Sequence, residues 1–178
     1  RFYAICDVIG LLVWQDMPAG DNRAQPIWEY ARGEAEDNAA AAAAASASLR
    51  EGGTPWAPTR FFDEIRRGPQ SQQAFFEELA TMVSWVSAFT SVVVWVPFNE
   101  GWGQSHTRET VAWLRQADPD RLVNAASGWN EVFGEESLGD FADVHNYEGG
   151  KPFGSLTETF ANWPFKDGGR VRALGEYG

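Results

Sequence analysis

Cysteine is almost missing from this sequence. Cys6 is the only one in 178 residues, so no internal disulfide can form, and a lone thiol fixes no redox compartment. Basic residues are scarce as well. Lys and Arg number 14 against 25 Asp and Glu, a net charge of −11. That balance argues against nucleic acid or an anionic membrane as partner, because both would repel the chain. No apolar run reaches the length of a membrane span, so no membrane association is expected. The chain enters a helical pattern directly at Arg1-Phe2-Tyr3, with no signal peptide ahead of it, and both ends look cut. Metal-site spacings are absent too: there is no H-E-x-x-H and no paired Cys, so the reading implies no metal and no cofactor. No G-x-S-x-G elbow supports serine hydrolysis, and no glycine-rich loop follows the first strand to cradle a phosphate.

Aromatic residues are plentiful. Nine Trp are more than a core of this size needs as filler, and flat rings with one N–H suit the mixed C–H and hydroxyl faces of sugars. The length allows one core and is marginal for two domains. The organising stretch is Ser91-Val92-Val93-Val94-Trp95-Val96-Pro97-Phe98-Asn99-Glu100-Gly101-Trp102-Gly103. Its β-branched run reads as a strand buried on both faces. It ends in a carboxylate, which is costly beside a core unless something uses or pairs it. The alternative is that Glu100 is only the first solvated residue of a loop.

In chain order, Phe2, Ile5, Cys6 and Ile9 recur at helical spacing, and Gly10 is placed to end that helix. A short buried strand is expected at Leu11-Leu12-Val13-Trp14, closed by Gln15-Asp16. Residues 19–70 read as a low-complexity surface insertion that includes the alanine run Ala39–Ala45. A helix resumes with the stripe Phe75, Leu79, Met82, Val83 and Val86. After Glu100, Ser105 is expected to cap a further helix carrying Val111, Trp113 and Leu114, ended at Asp118-Pro119. Strands then follow at 121–126, at Phe141-Ala142-Asp143-Val144 and at 170–174, with a short helix suggested near Leu156 and Phe160.

Helix alternating with short apolar strand means a mostly parallel sheet. Five strand ends carry the polar residues: Gln15-Asp16, Asn99-Glu100, Ser127-Gly128-Trp129, His145-Asn146-Tyr147 and Glu176-Tyr177. A (β/α) barrel keeps its chemistry at such C-terminal ends; a doubly wound sheet is the second choice. Two glutamates at different strand ends suit glycosidic hydrolysis, in which one carboxylic acid protonates the leaving oxygen and one carboxylate attacks the anomeric carbon from roughly 5 Å away. Mutual repulsion and partial burial would push one of them up into the acid's range. Asn99 could bond a sugar hydroxyl, and Tyr147 could donate to the attacking carboxylate. His145 is either a sugar contact or a packed histidine; His106, near a helix start, is structural.

Trp95 to Gln104 resembles the acid/base motif of glycoside hydrolase family 2, the β-galactosidase, β-glucuronidase and β-mannosidase family. Asp7 to Asp16 resembles the helix and third strand before it. Asp118-Pro119-Asp120-Arg121-Leu122-Val123 resembles the entry to the fifth strand, Asp143 to Tyr147 the sixth strand and Leu174 to Gly178 the seventh. The resemblance implies a retaining β-glycosidase on part of a (β/α)8 TIM barrel, strands three to seven. It implies Glu100 as acid/base, Glu176 as nucleophile and Tyr147 as the residue orienting it, with Asn99, His145, Trp129, Asp16 and Trp102 around a carbohydrate substrate. As an incomplete barrel, this piece is expected to be inactive alone. A glycosidase of another barrel family, of mannanase or cellulase type, and a non-catalytic carbohydrate-binding protein are the alternatives.

Overall fold

The computed structural model describes residues 1–18, 67–128, 138–146 and 169–177. The first helix, α1 (Phe2–Ile9), stops at Gly10, which is left-handed at φ 73°. Strand β1 (Val13–Asp16) follows, then α2 (Pro69–Val86), β2 (Val92–Val96), α3 (Thr107–Ala117), β3 (Leu122–Val123), β4 (Phe141–Asn146) and β5 (Val171–Tyr177).

Every strand pair among the described residues is parallel. One sheet has the order β1-β2-β3 and a second pairs β4 with β5. The expected parallel sheet is therefore present as three strands and two. The seam between them is bridged by Asp140, whose N–H donates to Val123 O while its Oδ2 accepts from Val123 N–H, both at 2.7 Å. One side chain thus supplies a bond that a regular ladder would take from backbone.

Strand β2 is buried on both faces, as its β-branched run dictates. Val92 and Trp95 pack into the larger cluster with Phe75, Leu79 and Val83 of α2 and Val111 and Leu114 of α3. Val94 and Val96 point the other way, onto Phe141 of β4 with Ala173 of β5 beside it. Side chains alternate across a strand, but the register shift that pairs Val13 with Val92 and Trp14 with Val94 breaks the alternation there, so Val92 joins Trp95 on the helix side while Val94 and Val96 meet the second sheet. Trp14 and Phe141, ring centroids 4.7 Å apart, extend that second contact.

Polar stitching holds the helices in place. Asp7 of α1 accepts the Ser91 N–H at 2.7 Å. Arg121 donates to the carbonyls of Ser87, Phe89 and Val92 and pairs with Asp118 at 2.8 Å. Asp118 also accepts the Trp95 indole N–H at 3.2 Å.

Several expectations shift: the last strand, expected at 170–174, runs Val171–Tyr177 and takes in Glu176, and the one expected at 141–144 runs Phe141–Asn146. The first strand begins at Val13, because Leu11 and Leu12 are exposed and spend themselves on the helix exit. The 121–126 strand makes regular pairs only at Leu122–Val123, continuing as the bond from Asn124 N–H to Trp95 O and the bridge Asn99↔Ser127. Ser105 is not the helix cap. Its hydroxyl donates to Gln72 Oε1 of α2 at 2.8 Å, and the N-cap position falls on His106 at φ 50°. Helix α2 opens at Pro69 after Gly68, a little inside the 19–70 boundary; residues 19–66 of that insertion lie outside the described residues, as does the short helix suggested near Leu156.

Candidate active site

The C-terminal strand ends meet. Past β2, the chain turns sharply through Asn99 and Glu100, with Glu100 in the left-handed region at φ 51°. That conformation disfavours a non-glycine residue, so neighbouring bonds must hold it. The Glu100 N–H donates to Ser127 O at 3.2 Å, the Trp102 N–H to Asn99 O at 2.8 Å, and the Ser127 hydroxyl to Asn99 Oδ1 at 2.5 Å.

From β4, His145 reaches under this turn. Its Nδ1 lies 2.8 Å from Glu100 Oε1 and 3.7 Å from Glu176 Oε2, and its Nε2 lies 3.5 Å from Asp143 Oδ2. The imidazole is almost fully buried, Glu100 keeps 16% of its side chain exposed and Glu176 40%. Both ring nitrogens face carboxylates, which favours the doubly protonated ring. Burial opposes that charge, but the close approach of Asp143, the hydrogen bond to Glu100 and the negative charges of Asp143 and Glu176 outweigh it and raise the pKa from 6.5 to about 9. One oxygen or nitrogen from each of Glu100, His145 and Glu176 lies within 4.8 Å of the others. A cation could bridge such a set, but the charge balance around the ring favours a proton in that place.

Asp143 is the buried carboxylate below the site, 2% exposed. It accepts the Asn124 Nδ2–H at 2.8 Å, the Gly175 N–H at 2.7 Å and the Gly128 N–H at 3.4 Å. Position 175 must be glycine, because a Cβ there would lie 2.8 Å from Asp143 Cγ. That close approach fixes the backbone immediately before Glu176 and coincides with the register shift between Val144 and His145.

Asp16, at the end of β1, faces the same charges. Its side chain keeps solvent on one side and packed protein on the other. Desolvation first, then the charges of Glu176 and Asp143, raise its pKa from 3.8 to about 6, with His145 opposing.

Of the residues expected at the site, Glu100, Glu176, Asn99, His145 and Asp16 therefore converge. Trp102 sits half-buried in the Glu100 turn, and among the described residues no hydrogen bond joins its indole to either glutamate. Tyr147 and Trp129 lie outside the described residues. Asp143 and Asn124 escaped the sequence reading, and Ser127 entered it only as part of a polar strand end. The one available signal was Asp143 itself, an acid in the middle of an apolar strand.

The C-terminal ends of these parallel strands gather two glutamates around a buried histidine, at the end where a (β/α) barrel keeps its site. A family model described as "Glycosyl hydrolases family 2, TIM barrel domain" matches residues 1–163. The chain belongs to glycosyl hydrolase family 2, and its role is that of a glycoside hydrolase. Glu176 lies beyond the matched residues. No curated protein matches the chain.

Proposed function

We propose that the protein hydrolyses O-glycosidic bonds of β-glycosides by a retaining double displacement, and that its strands are the third to seventh of a (β/α)8 barrel. The observation that carries the mechanism is the approach of Glu100 and Glu176 oxygens to within 4.8 Å across His145. Retaining glycosidases hold their carboxyl groups about 5–5.5 Å apart, whereas inverting ones leave room for a water at about 6.5–9.5 Å.

In this reading Glu176, the more exposed carboxylate, attacks the anomeric carbon. Glu100 gives a proton to the departing oxygen, then takes one from the water that releases the sugar. The imidazolium 2.8 Å from Glu100 stabilises the carboxylate that serves as base in the second step. It works against the acid form in the first, so the proton shared between Glu100 and His145 must sit on Glu100 when the bond breaks. Asn99, beside Glu100, bonds a sugar hydroxyl. Asp16 is a rim residue for the sugar, and Tyr147, Trp129 and Trp102 are the candidates for completing the cleft.

The test is NMR of the first-formed product anomer, using the full-length protein and a nitrophenyl β-glycoside panel. The β anomer is expected first. An α anomer would mean inversion and remove Glu176 as nucleophile, while binding without turnover across the panel would favour a carbohydrate-binding protein.

A further inference from the structure

We propose that Asp143 is a positioning residue that keeps one proton on Nε2 of His145, so that only Nδ1 exchanges a proton with Glu100. The inference rests on the glycosidase reading above.

The two nitrogens of the ring have different neighbours. Nδ1 lies 2.8 Å from Glu100 Oε1 and 3.7 Å from Glu176 Oε2. Nε2 lies 3.5 Å from Asp143 Oδ2, an ion-pair distance between two fully buried side chains. Asp143 is not free to move with the ring. Its oxygens accept N–H groups from Gly175 of β5 at 2.7 Å, from Asn124 beyond β3 at 2.8 Å and from Gly128 at 3.4 Å. All three are donors, which suits an ionised carboxylate, a group that can only accept.

A fixed negative charge beside Nε2 decides between the two neutral forms of the ring. A neutral imidazole carries one proton, on either nitrogen. With that proton on Nδ1, the bare Nε2 would turn its lone pair on Asp143, in an interior where repulsion is poorly screened. With the proton on Nε2, the N–H points at the charge and Nδ1 is left bare opposite Glu100. Glu176 pulls toward the other form, but 40% of its side chain is in solvent, which weakens the pull. Asp16, the other carboxylate that feels the ring, is exposed as well.

A bare Nδ1 at 2.8 Å accepts from a protonated Glu100, the form needed when the glycosidic bond breaks. At rest the ring holds both protons. The one on Nδ1 crosses to Glu100 along a single hydrogen bond, and Glu100 then passes it to the departing oxygen. In the second step Glu100 takes a proton from the attacking water. Nε2–H stays in place throughout.

The direct test is ¹⁵N NMR of the His145 imidazole in the full-length protein, its signals assigned by their loss in His145→Asn and followed through a pH titration. Nε2 should stay protonated across the titration, and Nδ1 should be the nitrogen that loses its proton. A neutral ring with its proton on Nδ1 overturns the proposal, whether or not the protein hydrolyses glycosides. Asp143→Asn then keeps the shape and removes the charge. Because Asp143 also holds the backbone before Glu176, the variant is read by kcat/KM on aryl β-glycosides of graded leaving group. The loss should be roughly tenfold to a hundredfold on a phenyl glycoside, and less than about threefold on a dinitrophenyl glycoside, whose leaving group needs no proton. Equal loss on both would mean that Asp143 acts through Gly175 and Glu176 alone, and overturns the proposal. In a Glu100→Ala background, Asp143→Asn should cost the phenyl substrate nothing more; additive loss overturns it too. A wild type that turns over no glycoside defeats the functional reading separately, and the imidazole titration still decides which nitrogen Asp143 keeps protonated.

Discussion

The β1–β3 sheet and the β4–β5 pair are built from different materials. The first is an apolar wall: β2 is all Val and Trp, buried between two helices and the opposite strands. The second carries Asp143, His145 and Glu176 within two adjoining strands. Each half holds one of the two glutamates. Glu100 leaves the apolar wall by a strained turn, and Glu176 stands on the polar pair. The wall supplies rigidity and the pair supplies charge, and His145 joins the two. A site divided in this way depends on the register between halves more than on the stability of either.

The largest effect should come from Glu176 on the polar side. On the proposed mechanism Glu176→Ala removes the nucleophile, so hydrolysis should be lost on every substrate, with azide restoring slow turnover of inverted stereochemistry. Glu100→Ala should cost less, roughly 10²–10⁴-fold, the worth of proton transfer. That loss should shrink for dinitrophenyl glycosides, whose leaving group needs no proton, and azide should then yield a β-glycosyl azide. Equal losses on activated and unactivated substrates would erase the functional difference drawn between the two halves.

The junction comes next. Gly175→Ala forces a methyl against Asp143 and should destabilise the protein by about 1–3 kcal/mol, the usual cost of overpacking. Thermal unfolding measures it, and an unchanged Tm would mean the polar pair is looser than described.

The smaller effects are in pH dependence. His145 has a folded pKa raised to about 9 from 6.5. Its contribution to stability is therefore complete below about pH 6.5 and is lost as pH rises through about 9. Urea midpoints should decline across that window, and His145→Asn should flatten the decline. Asp16 works with the same sign: protonation favours its folded form, so its contribution is present below about pH 3.8 and lost through about pH 6. Above pH 6 the charged Asp16 is a burden, and Asp16→Asn should raise Tm by a few degrees at most, since its exposed side is screened.

The sequence made the apolar wall readable and left the junction hidden. Val92–Val96 is legible because β-branched residues in a row have few other uses, and α1 because Gly10 ends an apolar period. Glu100 and Glu176 stand out as acids that close apolar runs, although Glu176 lies inside β5 rather than after it. The contacts of Asp143 with Gly175 and of Ser127 with Asn99 join positions far apart in the chain. No local period encodes them, because they exist only once parallel register is set. Ser105 shows the same limit: a serine before a helix satisfies the local rule for a cap, yet packing against α2 gives its hydroxyl to Gln72.

Cys6, the only thiol of these 178 residues, is buried between α1 and the larger apolar cluster. A thiol reagent can reach it only when α1 lifts away, so labelling kinetics under native conditions would time that opening directly. Because α1 runs straight into the strand that ends at Asp16, the same clock would report how often one edge of the candidate site comes loose while the rest of the protein stays folded.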